Sequence, residues 1–431
     1  MTTSHTPESR HAAGASLARG HRSLVDPGVT YDLFPIPLGE SAATSTLDLS
    51  APIEVTYDLD AAPADLWATT LPMAGLERWQ ALLPPLAPGL SMAEGGTPLL
   101  SLPRLAAWAG TEGSVWIKDE SRNPTWSHKD RLNLCAVSAA VASGAPGVVV
   151  ASSGNHGASA AAYATRAGLP CVVLASASAP PAVLSFVNAY NALVLPVPSD
   201  ARWPLLRRIV EEFGFHPVSS YTTTHTGHPW GPEGYQTIAW ELWKQFDGAI
   251  PEVIFLPTGY GEMLFGVAKG FRQLQRLGAI AEVPQLVASE PEVRAPLAKS
   301  WRSGVGAMQV ETIHTDAYAI ASPVSGYRGI VALRDSEGDV LPVTDEQMYA
   351  ASAALSHDGI WVELSSAASV AGLRAAAESG WLANRSAVAV LTSSGFKDLH
   401  TGREDDPLQE IVPEWDVVAG RMRDRFGGAV G

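Results

Sequence analysis

Lys129 sits in the run Asn123-Pro124-Thr125-Trp126-Ser127-His128-Lys129-Asp130-Arg131, between an extended segment and a helical stretch over 132–142. A lysine where a loop feeds a helix lies near the positive end of the helix dipole. That position favours its neutral, nucleophilic amine. A surface lysine flanked by ordinary helix-start charges is the competing reading. Three more loops carry suitable chemistry. Ser152-Ser153-Gly154-Asn155-His156-Gly157 leads from an apolar run into an Ala-rich stretch, and it offers small hydroxyls and backbone N–H groups to a carboxylate. A plain turn has the same composition. Pro257-Thr258-Gly259-Tyr260-Gly261-Glu262 precedes a helical stretch over 265–277, and Gly259 and Gly261 allow the backbone to wrap a phosphate. It has no Walker lysine and is not a nucleotide P-loop. Leu391-Thr392-Ser393-Ser394-Gly395 presents three hydroxyls, a group able to bond a pyridine nitrogen.

The elements that must position these loops are legible as alternating β-branched runs and Ala/Leu-rich helical stretches. Strands are expected at 114–117, 147–151, 171–174, 253–256, 286–288 and 387–391, giving an α/β fold with open, largely parallel sheets. Four of these strands run straight into Gly, Ser, Thr or Pro clusters. Ligands in such folds sit beyond the carboxyl ends of strands. The length of 431 residues implies two domains. Residues 1–26 read as a disordered tail, followed by an accessory stretch to about residue 85 with scattered apolar residues such as Trp67, Leu71 and Trp79.

Composition excludes several partners. Hydrophobic residues at 46% and charged residues at 17% are ordinary for a soluble chain, and a net charge of -15 without a Lys/Arg cluster argues against nucleic acid. The N-terminus has no apolar core, so neither a signal peptide nor a membrane span is expected. Cys135 and Cys171 lack metal-ligand spacing and read as buried free thiols in a reducing cytoplasm. His225 and His228 have no acidic or Cys partner nearby in sequence, so no metal site is expected.

Taken together, an activated lysine, an anion loop, a phosphate loop and a terminal hydroxyl are the parts that seat pyridoxal phosphate. Their order resembles the threonine synthase branch of the tryptophan-synthase-β-like, fold type II, pyridoxal-phosphate enzymes. The resemblance runs from Glu94-Gly95-Gly96-Thr97-Pro98-Leu99 through Lys118-Asp119-Glu120 into the lysine motif, which the family writes PTGSFKDR. It continues through 152–157, Glu233-Gly234-Tyr235-Gln236-Thr237 and 259–270. It ends with Glu363-Leu364-Ser365-Ser366-Ala367-Ala368-Ser369 and 391–398, covering about residues 90–400.

The resemblance implies a cleft between a large cofactor domain, 27–124 with 221–431, and a smaller domain, 125–220. Lys129 is then the Schiff-base lysine and proton shuttle. Asn155 bonds the cofactor's phenolic oxygen, while Gly259, Tyr260, Gly261, Glu262 and Met263 cradle its phosphate. Thr392 faces the ring nitrogen, and Ser152, Ser153, His156, Ser219 and Ser220 meet an amino-acid substrate. A homodimer is expected because the family usually forms one.

Departures from the family pattern bear on the reaction. His156 replaces a threonine that the family uses on the substrate phosphate, as in serine and threonine ammonia-lyases. The segment 218–232 has no arginine where the family has one. The cradle GNGGN becomes Gly259-Tyr260-Gly261-Glu262-Met263, and a carboxylate there is tolerable only if its side chain turns away from the phosphate. Trp126 and His128 stand where the family has Gly and Phe. The default expectation is O-phosphohomoserine to threonine. The alternatives are a serine/threonine ammonia-lyase, a β-replacement enzyme, or a non-catalytic amino-acid-binding homologue.

Overall fold

The computed structural model describes residues 16–39, 51–63, 66–67, 75–152, 154–177, 179–222, 225–398 and 414–426. Leu71, Ser153 and residues 1–15 of the expected tail lie outside the described residues.

Two sheets carry the α/β architecture. The larger has six strands in the order Asp339–Val343, Gln285–Pro291, Val253–Pro257, Ala387–Leu391, Val115–Asp119 and Leu99–Ser101. All neighbours are parallel except the final pair. The central strands Val253–Pro257 and Ala387–Leu391 are buried at every residue, as continuous apolar runs are when helices cover both faces of a parallel sheet. The smaller sheet is parallel throughout, in the order Leu193–Pro196, Cys171–Ala175, Val148–Val150 and His216–Pro217. All six expected strands are present within a few residues. Leu193–Pro196 and Asp339–Val343 were not expected; both are edge strands containing proline, which sheets tolerate only at an edge or a strand end.

The expected N-terminal tail needs correction. Ala18–Ser23 is the middle strand of an antiparallel three-stranded sheet, between Thr30–Asp32 and Ile53–Tyr57. Ala18, Gly20, His21 and Ser23 are buried, and Arg19 and Arg22 are exposed. The register shifts between Ala18 and Gly20, so Gly20 and His21 are both buried, and with small and polar residues on the buried positions no hydrophobic alternation announces the strand. The sheet is fastened by polar contacts. Glu233 accepts hydrogen bonds from Val55 N–H, Tyr57 Oη and Lys269 Nζ, and Trp230 Nε1 donates to His21 Nε2 at 2.9 Å.

The helix Lys129–Ala142 packs against both the helix Asn155–Arg166 and the 3-10 turn Gly231–Tyr235. Its start is held by a fully buried ionic network. Arg131 donates two bonds to Glu120 (2.6 and 2.8 Å) and two to Glu241 (2.6 and 2.8 Å). Lys118 Nζ donates to Glu241 at 2.6 Å, to Thr97 O and to Gln245. Two cations meet two carboxylates with no solvent contact. Breaking such a network strands a buried charge, which costs about 3–5 kcal/mol. Arg131→Leu is therefore expected to lower the urea-unfolding free energy by about that amount; a loss below about 1 kcal/mol would show that the network contributes little.

Candidate active site

Lys129 is the first residue of its helix, and His128 before it is tied to the end of the strand Ala387–Leu391. His128 N–H donates to Thr392 O at 2.9 Å, its Nδ1 lies 3.2 Å from the same oxygen, and Ser127 bridges Ser393. The lysine loop and the terminal hydroxyl loop thus form one unit. Burial lowers the Lys129 pKa, opposed by the charge of Glu262. Its Nζ lies 5.7 Å from the centre of the Tyr235 ring. Asp130, next in the chain, turns to the smaller sheet unit: it accepts from Thr125 N–H, Thr125 Oγ1 and Ser159 Oγ, and burial raises its pKa to about 6.

Asn155 opens the helix that follows Val148–Val150. One Nδ2 hydrogen goes to Glu363 Oε2 at 2.7 Å, and Oδ1 accepts from Ser393 Oγ at 3.1 Å. The second Nδ2 hydrogen is left for another acceptor. Glu363 was not picked out as a site residue, nor was Lys397, whose buried Nζ has no hydrogen-bond partner among the described residues. Burial lowers the Lys397 pKa to about 8 against the charges of Asp130 and Glu363. Both border hydroxyl-rich runs, Glu363 before Ser365-Ser366 and Lys397 after Ser393-Ser394-Gly395, and their role was hidden because their partners lie far away in the chain.

The loop after Val253–Pro257 forms a cradle. Gly261 adopts φ +84°, and a Cβ there would meet the Gly329 backbone at 2.8 Å, so only glycine fits. The helix Glu262–Arg276 begins immediately after it. Thr258 N–H bonds Ser289 O and Phe265 N–H bonds Gly261 O, whereas the N–H groups of Gly259, Tyr260, Gly261, Glu262 and Met263 have no acceptor among the described residues. Several orphaned donors at a helix N-terminus make an anion site. They fit the phosphate of pyridoxal phosphate, as the Lys129 amine and the Thr392 side chain, 6% exposed, fit its carbonyl and its ring.

The Glu262 carboxylate does not face that cradle alone. Burial would raise its pKa, but the His225 imidazole 3.6 Å away and, after it, the Lys129 charge hold it well below the carboxylate range. The structure therefore brings Lys129, His156, His225 and Glu262 together. Ser219 and Ser220 are placed differently. Ser219 Oγ accepts from Ala151 N–H, and Ser220 Oγ accepts from Thr226 N–H, so these hydroxyls brace the loop that carries them. Ser152 Oγ accepts from Gly154 N–H at 3.3 Å, and Ser153 lies outside the described residues.

His216 and His228 brace the same loop. His228 Nδ1 accepts from Trp230 and Gly231 N–H, so its proton is on Nε2, donated to His216 Nε2 at 2.9 Å. Burial lowers His216 to about 4 and His21 to about 4 from 6.5. Both are neutral in the fold, and the unfolded chain binds protons first as pH falls. Stability is thus expected to drop from about pH 6.5 toward pH 4. Urea unfolding across that range should show a shallower drop in a His21→Gln/His216→Gln double variant.

Comparison with known proteins agrees with this geometry. Residues 90–394 match the family model described as pyridoxal-phosphate dependent enzyme. A threonine synthase from Methanosarcina acetivorans is 31% identical over 374 residues, 85% of this chain and 89% of that protein. One from Mycobacterium leprae is 35% identical over 335 residues, 77% and 89% of the two chains. Among solved structures, threonine deaminase isoform 2 from Solanum lycopersicum superposes with a TM-score of 0.61 at 22% identity, covering 70% of this chain and 81% of its own. At that identity the likeness speaks for the fold.

Proposed function

Since the chain belongs to the pyridoxal-phosphate-dependent enzymes, among their threonine synthase-like lyases, we propose that it eliminates a β- or γ-substituent from an amino acid. The product then either leaves or takes up a nucleophile. Bound pyridoxal phosphate supplies the carbonyl that captures amines and the ring that delocalises electrons released at the α-carbon. The chain's residues supply the rest.

The observation that carries this reading is Lys129, a buried amine with a lowered pKa beside the orphaned N–H groups of the cradle. Burial keeps a larger fraction of the amine neutral, so Lys129 can hold the cofactor and then move the α-proton. Asn155, oriented by Glu363 and Ser393, would give its remaining N–H to the cofactor's phenolic oxygen. Thr392 gives the ring nitrogen a neutral partner. That weakens the electron sink relative to a carboxylate partner and suits elimination and replacement better than transamination. Ser152 and the N-terminus of the helix Asn155–Arg166 take the substrate carboxylate.

O-Phosphohomoserine to threonine is the reaction suggested by the names of the relatives. Elimination of water and ammonia from serine or threonine, or β-replacement, is favoured by His156 and by the lack of arginine in 218–232. The active form is expected to be a homodimer in the cytoplasm. Products formed from phosphohomoserine, serine and threonine decide among the reactions: threonine formed together with phosphate from phosphohomoserine would establish the first, and no phosphate release would exclude it. Lys129→Ala is expected to lose the absorption band of the lysine-bound cofactor and to slow turnover by about 10²–10⁴-fold through lost proton transfer alone. A colourless wild-type protein that cannot be reconstituted would point to the non-catalytic homologue.

A further inference from the structure

Glu262 stands where the resemblance has a glycine, and the structure shows where its side chain goes. The residue is 9% exposed, with Oε2 3.6 Å from His225 Nε2. Its carboxylate lies against Gly227: a Cβ on Gly227 would come within 2.2 Å of Oε1. The side chain therefore fills space beside the loop that the family uses for a substrate phosphate. Three buried imidazole nitrogens in the same place, His225 Nδ1, His225 Nε2 and His156 Nε2, have no hydrogen-bond partner among the described residues. The His225 ring is fixed by stacking on Tyr260, centroids 3.6 Å apart at 12°. Arg328 also feels the Glu262 charge; it gives Nε to Thr226 O and Nη2 to Ile53 O and lies over the Phe265 ring, while its buried Nη1 has no partner among the described residues.

We propose that Glu262, His225 and His156 form the pocket for the substrate's side chain, and that this pocket selects an uncharged hydroxyl over a phosphate ester. The proposal rests on the elimination reading above. A phosphate ester entering here would set a second anion beside a buried carboxylate already close to the cofactor's phosphate, with like charges repelling through poorly screened surroundings. A hydroxyl meets the opposite situation. It donates one hydrogen bond and accepts others, so it can satisfy a carboxylate oxygen and an imidazole N–H together. Polar groups built to bond a hydroxyl discriminate strongly, because a ligand that leaves them unpaired forfeits their desolvation cost. Glu262 thus acts on specificity, while Lys129 moves the proton.

The test uses the full-length protein carrying pyridoxal phosphate, with homoserine, serine, threonine and O-phosphohomoserine as probes. Apparent Kd values come from changes in the cofactor's absorption, for wild type, Glu262→Gln and Glu262→Gly. Wild type is expected to bind its preferred hydroxy amino acid roughly tenfold or more tighter than O-phosphohomoserine. Glu262→Gln, which keeps the side-chain volume, should narrow that ratio roughly tenfold by tightening O-phosphohomoserine. Titration of the apoproteins with pyridoxal phosphate should show tighter cofactor binding in both variants. A wild type that prefers O-phosphohomoserine, or a ratio unchanged by both substitutions, overturns the pocket assignment and leaves the elimination reading standing. Cofactor absorption that none of the four amino acids moves overturns the elimination reading and this proposal with it.

Discussion

The buried Arg131 network is the constraint on which the site depends. Arg131 is held bidentately by Glu120, just after the strand Val115–Asp119, and by Glu241 on the helix Gln236–Gln245. Two charges on each side are taken out of water, and such networks are weak sources of net stability because desolvation offsets most of the attraction. What the network contributes is placement. A guanidinium with both faces of its fork engaged fixes the rotation of the helix that starts at Lys129. Successive residues on a helix point about 100° apart. With Arg131 bound to Glu120 and Glu241, Asp130 meets Ser159 and Thr125, and Lys129 lies beside the Tyr235 ring within reach of the Glu262 charge. Three consecutive residues thus serve three directions, and moving one would move the others.

The cleft combines a lowered-pKa amine with histidines kept neutral by burial. His156 is pushed down to about 3 by burial and by Lys129, and His128 falls well below its ordinary value for the same two reasons. Neutral imidazoles can accept as well as donate, so the walls are polar without adding positive charge.

Much of this was legible in the sequence where type and position coincide. The strand and loop pairs at 148–157, 253–263 and 387–395 carry their signal locally, an apolar run followed by glycines and hydroxyls. What was not legible is set by rotamers and by distant partners. Nothing in Ser219 or Ser220 says that their hydroxyls turn back to brace Ala151 and Thr226. Glu363 and Lys397 meet Asn155 and Asp130 only because two sheets converge. Glu262 was recognised as an awkward charge, but its direction depends on Gly227, 35 positions earlier, leaving room for it. The strand at Ala18–Ser23 escaped because its buried face needs small residues and a histidine acceptor for Trp230, a requirement set by a partner more than 200 residues away.

Trp126 shows how such a departure is absorbed. It occupies φ +63°, where the family has glycine, and the left-handed region costs an L-residue about 1–2 kcal/mol. Its ring meets Phe186 at 5.2 Å and Phe396 at 5.4 Å, and Trp361 packs on Phe396 at 5.0 Å. Aromatic pairs of this kind contribute about 0.5–1.5 kcal/mol each beyond their buried area. Two direct contacts are enough to offset the backbone. Phe186 belongs to the smaller unit and Phe396 to the loop after the last strand of the larger one. The tryptophan therefore ties the helix Pro181–Ala189 to the loop after Ala387–Leu391, three residues from Lys129, where a glycine could make no such contact.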